Sequence, residues 1–400
     1  MKKIKIGVAG IGARGLITLR DHMVPLPDVE VAALCEPYED RLVQAAAIVT
    51  EANGIKPFIC RDYQQLVSRA ELDAVVVTGA WECHVPVALA AMRAGKYTAI
   101  EVGGAYSVED CWQLVRVSEK TGMPCMMLEN CCYGREEMLV LNMARQGLLG
   151  EIVHCEGGYR HDLREEVATG LDRRHYRYRN YLHRNCENYP THELGPIAQI
   201  LNINRGNRML SLTSTASKAA GLAEYARRHG ADGAPAFAQG DVITTVIKCA
   251  HGETITLTLD TTLPRFYSRG FYVQGTKGMY MEDNRSIFLD GKDNAAEFAW
   301  QEHWNNVEDY YEQYDHPLWK KTLREGRTDG HGGIDRLVFR AFFDAVSMRG
   351  EAPIDVYDTA AWMCITPLSE DSVALGGAPV AIPDFTSGGW LSRAPVAVAE

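Results

Sequence analysis

Three glycines and one acid near the N-terminus have the spacing of a phosphate-binding turn. Gly10, Gly12 and Gly15 follow a short apolar run, and a helical pattern begins behind them. Glycines at this spacing permit a tight turn and a close approach of the backbone to a pyrophosphate. Glu36 closes the next apolar run, 21 positions after Gly15, where an acid can accept hydrogen bonds from ribose hydroxyls. The pattern therefore predicts a dinucleotide site.

The acid also bears on which dinucleotide is bound. The carboxylate of Glu36 would repel a 2′-phosphate and so favours NAD over NADP. Arg14 and Arg41 leave the opposite choice open, because a nearby guanidinium can bind that phosphate. A glycine-rich turn in an α/β fold without a cofactor is the remaining alternative.

Other candidate side chains follow later strands that end on the same edge of the predicted sheet. Trp81 could pack on a cofactor and His84 could bond its ribose or phosphates, although a packed Trp in a helix-capping turn explains both equally well. Glu101 and Asn130 follow the next two strands. Because ligands bind at the carboxyl ends of such strands, these two side chains could meet the nicotinamide ribose or the substrate.

A second group of hydrogen-bonding side chains occupies residues 177–185 and 189–196. Its arginines, tyrosines and histidines are typical of a surface that binds sugar hydroxyls, an acetamido carbonyl or a carboxylate. An imidazole can transfer protons near neutral pH, so His192 is a candidate acid or base. The structural alternative is that His192 caps a helix starting near Pro196. Single-stranded nucleic acid is a weaker alternative ligand, since the chain carries a net charge of −11.

No metal site is predicted. His175, His183 and His192 are separated by eight and nine positions, and this spacing matches no zinc or calcium loop.

The elements that must position these residues differ between the two parts of the chain. Apolar runs alternate with helical segments at 3–9, 29–35, 57–60, 74–78, 97–101 and 124–128. This alternation predicts a Rossmann-type, doubly wound parallel sheet. Later runs with alternating polarity, which predict a mostly antiparallel, open-faced sheet, lie at 151–160, 210–215, 241–249, 253–260, 271–275 and 279–282.

We therefore predict an α/β dinucleotide-binding domain over residues 1–130 and an α+β domain for substrate binding and oligomerisation over residues 131–400. The Gly- and Ala-rich segment 219–239 is predicted to be a loop insertion with partial helix.

Composition narrows the class of protein. A chain of 400 residues with 46% hydrophobic and 23% charged residues is long enough for two globular domains. No run approaches the roughly 18–20 apolar residues that span a bilayer, so no membrane association is predicted. The 11 cysteines include no C-x-x-C pair, which favours reduced thiols in a cytoplasm.

The N-terminal half resembles the Gfo/Idh/MocA family of sugar and inositol oxidoreductases, on the glycine motif and on segments 81–84 and 90–96. Further segments resemble one branch, glycoside hydrolase family 109, the NAD-dependent α-N-acetylgalactosaminidases. They lie at 129–136, 159–164, 183–185, 189–196, 264–269, 316–320, 330–335 and 355–362. The most specific of them is the Tyr-Pro-Thr-His run at 189–192.

This resemblance implies NAD as cofactor, a glycoside or sugar as substrate and a homo-oligomer formed through the open sheet. The residues it implies for cofactor binding are Gly10, Gly12, Ala13, Arg14, Gly15, Glu36, Trp81, His84, Glu101, Val102 and Asn130. Those it implies for substrate binding are Tyr159, Arg177, Tyr189, Thr191, His192 and Tyr267. His192 is the first choice for acid–base catalysis, with Tyr133 and Tyr267 as further candidates; sugar stacking or core packing explains either tyrosine equally well.

Two departures from the wider family disfavour a simple dehydrogenase. Those enzymes carry Glu-Lys-Pro after the fifth strand, whereas this chain has Glu101-Val102-Gly103. They carry Asp four residues before the catalytic His, where this chain has Asn188. The hydrolase branch has Pro after Glu-Val, so Gly103 departs from that branch as well. Branch members often begin with an export signal that is absent here, which favours a cytoplasmic protein.

The implied reaction is redox-assisted glycoside cleavage. NAD takes a hydride from C3 of the sugar, the C2 proton is removed, the C1–oxygen bond breaks by elimination, water adds, and the hydride returns. An NAD-linked sugar or inositol dehydrogenase and a non-catalytic NAD or sugar sensor are the alternatives.

Overall fold

The computed structural model describes residues 3–229, 236–293, 300–326 and 331–395. These residues form two compact units. Unit 1 contains residues 3–130 and 331–360, and unit 2 contains the described residues of 131–326 and 361–395. Among the described helices, none is both long enough and apolar enough to cross a bilayer.

Unit 1 is built on a six-stranded parallel sheet with the order β3-β2-β1-β4-β5-β6. Its strands are β1 (Ile4–Ala9), β2 (Val29–Cys35), β3 (Phe58–Cys60), β4 (Ala74–Val77), β5 (Tyr97–Ile100) and β6 (Cys125–Met127). All four residues of β4 are fully buried, as expected for a central strand covered on both faces. The predicted doubly wound sheet is confirmed, and its strand order reverses between β1 and β4.

The helices between these strands are α1 (Ala13–Thr18), α2 (Glu39–Asn53), α3 (Tyr63–Val67), α4 (Trp81–Arg93) and α5 (Val108–Thr121). The bounds of α5 have clear local causes. Ser107 accepts a hydrogen bond from the Asp110 amide at 3.1 Å, and Gly122 ends the helix in the left-handed region. The helix predicted behind the three glycines begins before the last of them, at Ala13, and its last turn (Leu19–Met23) is a π-helix.

Unit 2 is built on an eight-stranded sheet with the order β13-β12-β11-β7-β10-β9-β8-β14. In chain order its first elements are α6 (Arg135–Arg145), β7 (Ile152–Arg160), α7 (Arg164–Ala168), α8 (Tyr176–His183), α9 (Thr191–Ile200), β8 (Met209–Ala216), α10 (Gly221–Arg228), β9 (Val242–Cys249), β10 (Thr254–Asp260), β11 (Tyr272–Gly275), β12 (Gly278–Met281), β13 (Ser286–Leu289), α11 (Glu308–Tyr314) and α12 (Pro317–Arg324). Only the described pair β7 and β10 is parallel, so the predicted, mostly antiparallel sheet is confirmed.

One face of this sheet is covered and the other is open. Along β9, Ile243, Thr245 and Ile247 are fully buried, whereas the alternate residues Thr244 and Val246 are exposed. Helix α9 packs on β7 on the covered side. Within the segment predicted as a loop with partial helix, α10 is present, and residues 230–235 lie outside the described residues.

The last elements are α13 (Ile334–Met348), α14 (Val356–Met363), α15 (Ile365–Ala374) and β14 (Val380–Ala381). The prediction assigned everything after residue 130 to one domain, but α13 belongs to unit 1. Its Phe339 stacks on His22 with ring centroids 6.0 Å apart, and Arg340 donates to Asp28 at 3.0 Å. The periodicity of a helix shows that it has an apolar face without showing which sheet covers that face.

Candidate active site

The glycine-rich turn of unit 1 is crowded on one side and open on the other. Gly10 has φ +88°, and a Cβ placed on it would lie 2.2 Å from the Cα of Gly79. A Cβ on Gly15 would lie 2.6 Å from the Gly10 carbonyl oxygen. In contrast, a Cβ on Gly12 would have only the Nη1 of Arg41 within 4 Å, at 3.9 Å. The turn therefore has the tight base and the open cradle that fit a dinucleotide phosphate.

Glu36 closes β2 beside this turn. Its Oε2 accepts a hydrogen bond from the Ile11 amide at 2.6 Å, and its Oε1 accepts one from the Tyr38 amide at 3.2 Å. Arg41 lies next to it, with Nη1 3.9 Å from Oε1. The carboxylate is thus fixed at the position where a ribose is bound in this fold, with one guanidinium nearby.

Arg14, in contrast, is already held by two carboxylates. Its Nε donates to Glu101 at 3.0 Å, and its two terminal nitrogens donate to Asp335 at 2.9 and 2.8 Å. This pairing removes the basis for expecting Arg14 to bind a 2′-phosphate. Asn130 donates to the same Asp335 at 2.7 Å, and Glu101 accepts from the Val102 amide at 3.1 Å. Arg14 and Asn130 therefore bond the same acid, Asp335, and Arg14 links this pair to Glu101 and the Val102 amide.

Trp81 and His84 occupy the first turn of α4. Trp81 is buried against Gly103, so closely that a Cβ on Gly103 would lie 2.4 Å from its Cδ1. His84 is turned inward; its Nε2 lies 3.0 Å from the Gly79 carbonyl oxygen, and burial lowers its pKa to about 4. The contact made by His84 supports the turn beneath the glycines, and its predicted contact with a cofactor stays a prediction.

Unit 2 gathers an aromatic cluster around Tyr159, the penultimate residue of β7. The centre of its ring lies 4.4 Å from that of Tyr189, 5.4 Å from that of His192 and 6.3 Å from that of Tyr267. The ring of Tyr267 also meets that of His161 edge to face at 5.0 Å. Four of the predicted substrate residues are therefore neighbours, although they come from three separate segments of the chain.

Arg177 adds a buried positive charge to this cluster. Its guanidinium lies 5.2 Å from the centre of the Tyr189 ring and donates to Glu166. Nearby Tyr176 and Glu166 hold the pKa of Arg177 well above its usual value despite burial. His175 caps α8 by accepting from the Arg177 amide at 3.3 Å. A planar cation among tyrosine rings can bind carbonyl and hydroxyl oxygens of a sugar.

The backbone around the cluster is shaped by two glycines that precede Tyr159. A Cβ on Gly157 would lie 2.4 Å from the Cβ of Glu193, so this glycine lets α9 approach β7. Gly158 has φ +156°, and a Cβ there would lie 2.1 Å from the Thr258 carbonyl oxygen. The close approach places His192, in the first turn of α9, against Tyr159. Helix α9 begins at Thr191, so His192 lies inside it and does not cap a helix starting near Pro196.

Two tyrosines predicted to transfer protons have raised pKa values. Burial raises the pKa of Tyr133 and that of Tyr267. The recorded hydrogen bond of Tyr133 is at its carbonyl oxygen, which accepts from Trp319 Nε1 at 2.9 Å. Since neither phenol loses its proton easily, His192 is the better candidate base of the three. The catalytic role of Tyr133 stays a prediction, as does the sugar contact of the buried Thr191.

Several residues of the site escaped the sequence analysis. His161 lies 2.9 Å from the Tyr159 hydroxyl, and Arg269 lies 2.5 Å from Glu137 and 3.2 Å from Glu193. His161 and Arg269 lie within the segments that carry the family resemblance, and that was the available signal.

The two positions at which this chain departs from the dehydrogenases, Val102 and Asn188, are both buried. Val102 is a buried apolar residue, and Asn188 is fully buried, donating to Gln239 and accepting from the Cys186 thiol at 3.3 Å. Neither position supplies an ionisable group.

The two units and their side chains define a protein of the Gfo/Idh/MocA type. Residues 4–129 match the family model for the oxidoreductase NAD-binding Rossmann fold. The fold is shared with an inositol dehydrogenase homologue from Azotobacter vinelandii solved with NAD⁺ (TM-score 0.70, 15% identity, 95% of this chain and 97% of that one). It is also shared with a levoglucosan dehydrogenase solved with NADH and L-sorbose (TM-score 0.69, 17% identity, 96% of this chain and 100% of that one).

The rest of the chain identifies the branch. Residues 133–392 match the model for the C-terminal domain of glycosyl hydrolase 109. A glycosyl hydrolase family 109 protein of Stenotrophomonas maltophilia is 38% identical over 99% of this chain and 92% of its own length. An alpha-N-acetylgalactosaminidase of Tannerella forsythia is 38% identical over 98% of this chain and 88% of its own length. The chain belongs to glycoside hydrolase family 109.

Proposed function

We propose that this protein is an NAD-dependent glycosidase that cleaves terminal N-acetylgalactosamine-type glycosides without net formation of NADH. One observation carries the proposal. Val102 and Asn188 occupy the positions at which family dehydrogenases carry Lys and Asp, and neither can exchange a proton. His192 is kept, packed among Tyr159 and Tyr189. This set of residues is suited to moving a proton at carbon rather than to oxidising a hydroxyl as the net reaction.

The cofactor proposed is NAD. The open cradle at Gly12 would hold its phosphates and Glu36 its adenine ribose. The bonds of Arg14 to Glu101 and Asp335 support NAD over NADP, because they occupy a guanidinium that could otherwise bind a 2′-phosphate. NAD bound there would supply reversible hydride acceptance at C3 of the sugar, with the C3 hydroxyl proton passing to solvent and returning when the hydride returns, so the whole reaction would be redox-neutral.

The side chains of unit 2 would supply the remaining steps. A ketone at C3 acidifies the C2 proton, and His192 would accept it. The electron pair then forms the C1–C2 double bond as the C1–oxygen bond breaks, and the leaving oxygen takes a proton. Water adds to C1 and gives up the proton that replaces the one taken by the leaving oxygen, and C2 regains a proton from His192 after the imidazole has exchanged its own with solvent. The rings of Tyr159, Tyr189 and Tyr267 would pack on the sugar and exclude bulk water, while Arg177 would bind the acetamido carbonyl.

The decisive experiment uses a chromogenic α-N-acetylgalactosaminide with NAD in deuterated water. The proposal predicts release of the aglycone, no accumulation of absorbance at the NADH band, and one deuterium at C2 of the released sugar. Matched β-anomer and N-acetylglucosaminide substrates define the anomer and the sugar.

The other outcomes are equally informative. NADH formed from free sugar or inositol without aglycone release supports the dehydrogenase. Aglycone release without deuterium at C2 refutes the elimination mechanism. NAD binding with neither activity, across the substrates named, supports a sensor.

Two further expectations belong to the proposal. The cytoplasmic location rests on the eleven cysteines, all of which are free thiols. Assembly into a homo-oligomer rests on the family resemblance, and light scattering after size exclusion tests it. A monomer at micromolar concentration would contradict it.

A further inference from the structure

Asp335, in the first turn of α13, is the most heavily bonded carboxylate of unit 1. Its side chain is 1% exposed. It accepts two hydrogen bonds from Arg14, at 2.8 and 2.9 Å, and one from Asn130, at 2.7 Å. His331 Nδ1 lies 2.6 Å from it and His22 Nε2 lies 3.5 Å from it. Several donors converge on one buried carboxylate, so the acid and its donors fix one another's positions.

Two of the donors to Asp335 come from the edge of the sheet at which the strands end. Arg14 comes from the glycine-rich turn, and Asn130 follows β6. Arg14 in turn bonds Glu101, which follows β5, at 3.0 Å. These are the carboxyl ends of the strands, at which this fold binds its dinucleotide. Asp335 itself is 321 positions from Arg14 along the chain and reaches the same edge through α13.

We propose that Asp335 is a positioning residue for the dinucleotide site, holding the side chains of Arg14 and Asn130 in the orientation that binds the cofactor. This inference rests on the proposed use of NAD and adds to it a residue outside the nucleotide-binding segment. Asp335 acts through Arg14 and Asn130, and its own contact with the cofactor is not required.

Arg14 depends on the Asp335 carboxylate as its hydrogen-bond acceptor. A bidentate pair between a guanidinium and a carboxylate fixes both planes, and without this acceptor the Arg14 guanidinium, which is 32% exposed, would rotate towards solvent or another acceptor. Arg14, His22 and His331 also hold the pKa of Asp335 well below its usual value, which favours the charged carboxylate that the bidentate pair requires. The pair therefore constrains the orientation of Arg14.

The test compares Asp335→Asn with Asp28→Asn. Asn keeps the shape of Asp335 but loses the charge and one acceptor. Asp28 bonds Arg340 of the same helix at 3.0 Å, so its variant weakens the attachment of α13 without touching the site. NAD affinity is measured by calorimetry, and the melting temperature is measured without NAD. We expect Asp335→Asn to bind NAD about tenfold or more weakly and Asp28→Asn to bind it as the wild type does.

A double-mutant cycle separates positioning from general stability. If Asp335 acts through Arg14, the fold-loss of NAD affinity in Asp335→Asn with Arg14→Gln will be smaller than the product of the two single losses. If the fold-loss of NAD affinity in the double variant equals the product of the two single fold-losses, the proposal is overturned. Unchanged NAD affinity in Asp335→Asn also overturns it. Should Asp335→Asn fail to fold, Asp335→Glu keeps the charge and moves the carboxylate; unchanged NAD affinity there also overturns the proposal, and weaker affinity supports it.

The same binding measurements distinguish a failure of the proposed NAD binding from a failure of the proposed role of Asp335. If the wild-type protein binds no NAD, the proposed function fails and this inference fails with it. If the wild type binds NAD and Asp335→Asn binds it equally well, only the role of Asp335 is refuted.

Discussion

The rings of Tyr159 and His192 meet edge to face, with centroids 5.4 Å apart and planes inclined at 68°. Tyr159 is on β7 and His192 is on α9, and the two elements approach closely because Gly157 carries no side chain. The ring of Tyr189 packs on the same imidazole at 4.8 Å. The orientation of His192 is thus set by the packing of a strand against a helix, which is a rigid support for a group that transfers protons.

Replacing His192 with Ala is expected to abolish turnover and leave NAD binding unchanged. General acid–base catalysis contributes on the order of 10²–10⁴-fold, so the loss of kcat should be of that size. His154→Ala is the matched control, because His154 is on β7, as Tyr159 is, and its partners Thr254, Glu156 and Tyr272 lie outside the aromatic cluster. Full activity of the His192 variant with the chromogenic glycoside would rule out its assignment as acid or base.

Replacing Arg177 with Lys tests the shape of the cation separately from its charge. Lys keeps the charge but cannot donate to Glu166 and present a flat face to Tyr189 at the same time. We expect KM for the glycoside to rise about tenfold, with a smaller effect on kcat, in steady-state assays. Arg173→Lys is the control, since Arg173 is exposed and lies 3.3 Å from Glu165. Equal KM values for both variants would show that Arg177 does not bind the substrate.

The sequence predicted the features of the site that depend on local sterics. The glycine motif is an example: the spacing of Gly10 and Gly15 indicates a turn that no side chain can enter, and the structure has that turn. The six strands of the first sheet and β7 to β12 of the second were predicted from the local pattern of apolar residues, whereas β13 and β14 were missed.

Contacts between distant segments could not be predicted in this way. Asp335 meets Arg14 across 321 positions, and no periodic pattern connects them. The inward turn of His84 onto the Gly79 carbonyl was also hidden, since residue type does not fix the direction of a side chain in the first turn of a helix. Even the branch-specific segment at 159–164 indicated that His161 matters without indicating that it contacts Tyr159 and Tyr267.

Gly103→Ala is expected to disturb Trp81 and weaken NAD binding. Gly103 has φ +151°, which costs another residue about 1–3 kcal/mol, and the added methyl would collide with the indole. We expect a lower melting temperature and a weaker NAD affinity by calorimetry. Gly350→Ala is the control, because nothing lies within 4 Å of its Cβ position. In a Trp81→Ala background the substitution should cost less stability, and an undiminished cost would show that the indole is not the obstacle.

Glu187→Gln is expected to change how stability depends on pH. The carboxyl is fully buried, its Oε1 accepts from the Tyr189 amide at 3.2 Å, and burial raises its pKa to about 8. The unfolded chain releases this proton near pH 4.5, whereas the folded protein keeps it, so the contribution of Glu187 to stability is complete below that pH and is lost as the pH rises towards 8. Gln cannot ionise in either state. The variant should therefore match the wild type at about pH 4 and melt at a higher temperature near pH 8, where the wild type has lost roughly 1.4 kcal/mol for each unit by which the pKa is raised. Melting temperatures followed by circular dichroism across this range test the prediction, and parallel profiles for the two proteins would contradict it.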